Sequence, residues 1–144
     1  MPEYQYNENS QAIQSHLSLT QSVIQRMSSN SAACKAWCIT LVSAVLVIVA
    51  DKGIPQYAML AFLPTALFLT LDTYYLALEG MFIKSYNTFI DKLHEGKIDA
   101  KDLYIIRPSG NSFYSFWSAI ISFSIWPFYL TLIILIIIVK LIVI

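Results

Sequence analysis

The residues of this chain whose types and spacing suggest chemistry are charged groups beside long apolar segments. Lys35 lies sixteen positions before Asp51, and Asp72 lies seventeen positions after Pro55. At about 1.5 Å of rise per residue, two antiparallel helices joined there would place both charges at nearly the same depth. A charge at a membrane boundary is costly unless it snorkels or pairs. The spacing therefore predicts either a Lys35–Asp72 contact, within one subunit or between subunits, or two charges that are separately solvated by headgroups.

The other polar residues form no recognisable enzyme or metal centre. His16 and His94 fall on separate predicted helices, and each is expected to be a surface or packing histidine. Cys34 and Cys38 are four residues apart, a spacing that suits neither a disulfide nor, without a nearby histidine, a zinc site. We interpret them as small buried residues, with lipidation as the alternative. We therefore predict no catalytic, cofactor-binding or metal-binding residues, no cofactor and no enzymatic activity.

The segments that must position the two charges are apolar stretches at residues 37–50 and 57–71. Neither stretch contains a charge, and only residues 51–55 separate them. Crossing about 30 Å of hydrocarbon takes roughly 17–25 helical residues, a length that each stretch reaches with its flanks. A short turn with Gly and Pro reverses the chain but cannot hold a domain. The pattern predicts a transmembrane hairpin at residues 34–75, with a kink at Pro64 near the middle of its second helix.

The composition is typical of a membrane protein. Of the 144 residues, 57% are hydrophobic and only 12% are charged, whereas a soluble domain carries about a quarter charged residues. The net charge of zero argues against an electrostatic nucleic-acid binder. The first thirty residues show no basic region followed by an apolar run, so we expect no cleavable signal peptide.

The regions before and between the spans read as helical extensions. Residues 1–10 lack an apolar period and are expected to be a flexible N-terminus. Residues 11–33 carry an apolar stripe with a largely uncharged polar face, which predicts an amphipathic helix continuous with the first span. Within residues 76–112, helical spacing continues as far as Glu95 and Gly96, where glycine suits a C-terminal cap. A helical turn and a loop are expected to follow.

The last 32 residues, 113–144, contain Lys140 as their only charge. Pro127 divides them into an aromatic, serine-rich part, read as an interfacial or steeply tilted helix, and an Ile/Leu-rich third span. Seven of the nine basic residues fall on the side of the N-terminus, which by the positive-inside rule places that terminus in the cytoplasm. The predicted fold class is thus an all-α membrane protein with three transmembrane helices, cytoplasmic amphipathic extensions of the first two, N-terminus in and C-terminus out.

Several motifs resemble those of a family of short bacterial three-span membrane proteins. Residues 24–41 fit the pattern IxRM…NS…KxW…TL, and residues 71–82 fit LDxYYLxxExxF. Pro127-Phe128-Tyr129 is similar to the start of that family's last span, and residues 97–112 match least. Small membrane proteins of this kind occur beside bacterial antiphage systems as effectors that damage the host membrane. The resemblance implies that these residues form a cluster for assembly or gating at the inner boundary: Arg26, Asn30, Lys35, Trp37, Asp72, Tyr74, Tyr75 and Glu79.

The sequence therefore leads to a hypothesis of a homo-oligomeric effector of the bacterial inner membrane that forms a pore or disrupts the bilayer, with antiphage defence as its setting. Copies of Lys35 and Asp72, or of residues 28–31, would line an ion pathway as rings, or would instead cement helix contacts without a pore. The expected partners are membrane lipid and further copies of the chain. The alternatives are a scaffold or regulatory subunit that docks a soluble protein through its cytoplasmic helices, and a membrane receptor gated by a small nucleotide.

Overall fold

A computed structural model describes residues 9–142, and within that range the chain is helical and contains no strand. The all-α prediction is therefore confirmed for these residues, whereas most of the N-terminus predicted to be flexible, residues 1–8, lies outside them. The elements are five α-helices and one 3₁₀ segment: α1 Gln11–Lys52, the 3₁₀ segment Pro55–Ala61, α2 Phe62–His94, α3 Ala100–Tyr104, α4 Ser112–Ile120 and α5 Trp126–Ile142.

Helix α1 is unbroken for 42 residues, a length of about 63 Å. Its first turn is capped by Ser10, whose hydroxyl accepts a hydrogen bond from the backbone N–H of Ile13 at 3.3 Å. It ends at Gly53, which adopts a φ of +64° and donates its N–H to the carbonyl of Val49. The buried side chains recur at steps of three, four or seven residues from Ile13 to Val49. One face of α1 therefore packs along its whole length, and the predicted continuity between extension and span is confirmed.

The second helix begins differently from the prediction. Residues from Pro55 to Ala61 form a 3₁₀ segment, and the α-helix starts at Phe62. Pro64 thus lies in the first turn of α2, where its missing N–H would have had no partner within the helix. The prediction that Pro64 lies near the middle of the second helix is therefore wrong. At the other end, α2 stops at His94, and Gly96 adopts a φ of +67°. The predicted end of the helix at Glu95 and Gly96 is therefore confirmed.

The C-terminal region is divided into two helices near Pro127, as predicted, but the first of them ends several residues before this proline. Helix α4 ends at Ile120, a turn follows, and α5 starts at Trp126. Helix α5 packs into the hairpin, and its Lys140 ammonium lies 3.9 Å from the sulfur of Met59 beside the turn. The shared core of α1, the 3₁₀ segment and α5 contains Cys38, Val42, Leu46, Val49, Ala58, Ala61, Ile125, Tyr129, Leu132 and Ile136.

Two stretches of helix, Gln11–Lys52 and Pro55–His94, are long and apolar enough to cross a membrane. This is the part of the membrane prediction that length and composition support. The predicted third span corresponds to α5, which is apolar but has only 17 residues, about 25 Å of helix.

Side chains from α1, α2 and α3 meet at the end of the hairpin opposite its turn, which we call the open end. The His16 ring stacks on Phe89 with a centroid distance of 4.2 Å, and its Nδ1 lies 3.0 Å from the carbonyl oxygen of Leu103. The Lys92 ammonium donates to Asp102 at 3.0 Å, and this hydrogen bond lowers the pKa of the Asp102 carboxyl. His16 is therefore a packing histidine, as predicted, and α3 is fixed against the two long helices.

Candidate functional site: a buried carboxylate that joins three helices

The structure brings Lys35 and Asp72 together within one chain. Asp72 is fully buried, and its Oδ2 lies 2.6 Å from the Lys35 ammonium. The two residues belong to antiparallel helices and lie at equal distance from the turn, so the contact follows from the spacing along the chain. A carboxylate removed from water needs partners for both of its oxygens.

Those partners come from two other helices, α1 and α5. The hydroxyl of Ser31 on α1 donates to Oδ1 of Asp72 at 2.5 Å. The phenol of Tyr129 on α5 donates to Oδ2 at 3.1 Å. The Lys35 ammonium also donates to the Ser31 hydroxyl at 3.2 Å, which closes the network. We call these four residues, Ser31, Lys35, Asp72 and Tyr129, the Asp72 network.

The local sequence explains why these groups converge. Ser31 and Lys35 are one helical turn apart, so they share the face of α1 that packs on α2. Tyr129 is 2% exposed and lies in the first turn of α5, which the break before Pro127 directs into the hairpin. Among the described residues, no buried side-chain nitrogen or oxygen lacks a hydrogen-bond partner. The network is therefore fully satisfied, the condition under which buried polar groups rigidify and specify a fold.

The remaining predicted site residues are not members of the Asp72 network. Arg26, Trp37 and Tyr74 are exposed, and Trp37 retains 61% of its accessible surface. Tyr75 is half-buried and meets the Tyr74 ring edge to face, with centroids 5.6 Å apart. Asn30 and Glu79 are also half-buried.

Sequence reasoning did not assign Tyr129 to the site, and it considered Ser31 only within residues 28–31, as an alternative to Lys35 and Asp72. Ser31 and Tyr129 both stand in motifs that carry the family resemblance, Asn30-Ser31 and Pro127-Phe128-Tyr129. The signal available from the residues was a hydroxyl placed one turn before Lys35 and a tyrosine in the first turn after a proline break. Neither signal fixes the depth at which α5 meets the hairpin.

The contacts of the Asp72 network are hydrogen bonds and one ion pair. No group of three or more His, Cys, Asp or Glu side chains able to hold a metal ion occurs among residues 9–142. Cys34 and Cys38 are buried free thiols, as predicted. The network holds one carboxylate and one ammonium in place, and removal of either group would leave the other charge without its partner.

Fold and site together define an all-helical chain in which two long apolar helices are tied to a third by one buried carboxylate. Comparisons with protein-family models, with curated proteins and with solved structures found no match to this chain.

Proposed function

We propose that this chain is a multi-pass protein of the bacterial inner membrane, with the parts of α1, the 3₁₀ segment and α2 within residues 34–75 as its first two spans and α5 as its third. The observation that carries the proposal is the exposure of its apolar helices. Only 28% of the most apolar stretch of the first helix and 22% of that of the second are buried. A core helix of a soluble protein would be mostly buried, whereas lipid satisfies an exposed apolar surface. The distribution of lysine and arginine supports a cytoplasmic N-terminus and an external C-terminus.

We propose further that the chain acts as a homo-oligomer. The face of α1 opposite its buried stripe is exposed and built from small residues. These are Ser29, Ala33, Ala36, Thr40 and Ser43. Small residues at this spacing let helix backbones approach closely in a bilayer, where burial of apolar surface supplies no driving force. Further copies of α1 are the occupants that this surface fits.

In such an assembly, the hydroxyls of Ser29, Thr40 and Ser43 would face the neighbouring copies or a central axis. Lys35 and Asp72 are already paired inside one chain. We therefore assign this pair to the fold and gating of each subunit rather than to a ring of charges around an axis. We therefore propose a membrane effector that opens a pore or disrupts the bilayer. Its place in antiphage defence rests on the motif resemblance alone.

A second candidate function has one observation in its favour. The open end is a packed structure in its own right, because α3 is fixed there by the His16–Leu103 and Lys92–Asp102 contacts. Such a surface could dock a soluble protein partner, and the chain would then be a scaffold or regulatory subunit.

The particle mass in detergent distinguishes these two functions. For the effector we expect several copies of the 16.3 kDa chain in one particle, measured by light scattering with the detergent mass subtracted. The variant Ala36→Leu places a bulky side chain on the small-residue face and should reduce the number of copies. Ala66→Leu, the same change at an exposed position of α2, serves as the control. A single copy, alone or with a second protein, would contradict assembly and favour the scaffold.

A further inference from the structure

A groove between α2 and α4 holds a half-buried acidic residue that belongs to no ion pair in the described structure. The groove encloses about 320 Å³ and is open to the surface, at the lower end of the range for small-molecule sites. Its walls are mostly apolar, with Leu76, Ala77, Ile83 and Ala119 among the lining residues. Glu79, two serines of α4 and one serine of the turn that follows it supply polar atoms. Concave, apolar sites with a few convergent polar groups are typical of ligand pockets.

Glu79 gives this groove its charge preference. Burial has the largest effect on the pKa of the Glu79 carboxyl and raises it, whereas the Lys35 ammonium has a smaller effect that lowers it. That ammonium is held by Asp72 at 2.6 Å, so it does not neutralise Glu79 directly. A carboxylate against apolar walls favours a cationic ligand and disfavours an anionic one.

The serines add hydrogen-bonding capacity beside that charge. Ser115, Ser118 and Ser122 lie on one face of α4 and the turn after it, at spacings of three and four residues. A second cavity of about 330 Å³ shares two of these serines and Tyr114, and it is extended by Trp117 and Ile121. Polar groups are therefore flanked on both sides by apolar surface, an arrangement that fits an amphiphile better than a small hydrophilic ion.

We propose that this groove binds the primary ammonium group of an amphiphile, namely the headgroup of a membrane aminophospholipid. Glu79 accepts hydrogen bonds from the ammonium, the serine hydroxyls donate to the adjoining phosphate oxygens, and the apolar walls contact the hydrocarbon. A quaternary ammonium has no N–H to donate, so choline lipids fit less well. The inference rests on the membrane insertion proposed above, but on neither assembly nor pore formation.

The test measures the melting temperature of the full chain in detergent micelles with added lipid. Phosphatidylethanolamine should raise the melting temperature by about 3 °C more than phosphatidylcholine or phosphatidylglycerol does. Glu79→Gln should abolish this difference. The control Glu95→Gln removes the same charge from an exposed position of the chain and should preserve it.

A second variant keeps the test informative if Glu79→Gln folds poorly. Gly80 lines the groove, and a Cβ added at this residue would meet no heavy atom within 4 Å. Gly80→Leu should therefore fill the groove and abolish the lipid difference without altering Glu79. Equal shifts with all three lipids, or a full difference in both variants, would overturn the proposal. Free phosphoethanolamine should produce little shift; a full shift would overturn the lipid assignment and point to a soluble amine. Because micelles require no conductance, a failure of pore formation leaves this result unaffected.

Discussion

Replacing Asp72 by asparagine is expected to lower the free energy of unfolding by about 3 kcal/mol. Breaking a buried ion pair by removing one partner costs about 3–5 kcal/mol, because the other charge is left uncompensated. The Lys35 side chain is 21% exposed and that of Asp72 is fully buried. The stranded ammonium can therefore reach water in part, which places the loss at the low end of the range. Asparagine keeps the shape of the side chain and one acceptor oxygen, so the substitution isolates the charge. Reversible unfolding in mixed micelles, followed by far-UV circular dichroism, measures the effect.

Asp51→Asn is the matched control for this substitution. Its carboxylate is 74% exposed and lies 3.8 Å from the Lys52 ammonium, so its loss should cost less than about 1 kcal/mol. The triple variant Lys35→Met, Asp72→Leu and Tyr129→Phe removes both charges and the phenol that Asp72 accepts from, and it should recover most of the stability lost in Asp72→Asn. Equal effects of Asp72→Asn and Asp51→Asn would show that the Asp72 carboxylate is solvated and does not hold the helices together.

The second large effect is expected from Ile136→Ala in α5, with a loss of about 2 kcal/mol. Ile136 is 1% exposed and belongs to the core between α5 and the hairpin. Shortening a buried isoleucine to alanine usually costs about 2–5 kcal/mol, from lost transfer free energy plus a cavity. Between helices in lipid the transfer contribution is small, so mainly the packing contribution remains. The same unfolding experiment in micelles measures this loss.

Ile137→Ala provides the control. The side chain of Ile137, next to Ile136 in the chain, is 45% exposed, so its truncation opens no cavity in the core. We expect a change below about 0.5 kcal/mol there. If both alanine variants lose the same stability, α5 does not pack on the hairpin as described, and its place beside Asp72 would be wrong.

The part of the site that sequence could predict is the part fixed by counting along one helical hairpin. Lys35 and Asp72 lie at matching distances from a short turn, and two continuous helices leave little freedom in their relative depth. The same counting could not decide whether the pair forms within one chain or between chains. That choice depends on which way each face points, and the buried stripe of α1 directs Lys35 toward α2 of its own chain.

The contribution of Tyr129 could not be predicted in this way. Its depth depends on where α4 ends and on the turn before Trp126, and an apolar run rich in Ile and Leu has no period that fixes either. The start of α2 was missed for a related reason. The seven residues from Pro55 to Ala61 form a 3₁₀ helix rather than an α-helix, and an apolar segment of that length has no period that separates the two hydrogen-bond patterns. A proline expected to kink the helix lies instead where a helix tolerates it.

Permeability of sealed vesicles is the most direct test of the proposal that this chain is a membrane effector. Purified full-length protein would be reconstituted at increasing protein-to-lipid ratios, and release of a trapped dye would be followed over time. If several copies form one pore, release should rise more steeply than in proportion to protein density, and Ala36→Leu should reduce it while Ala66→Leu does not. Vesicles that stay sealed at high protein density, with the protein shown to be inserted, would contradict the account.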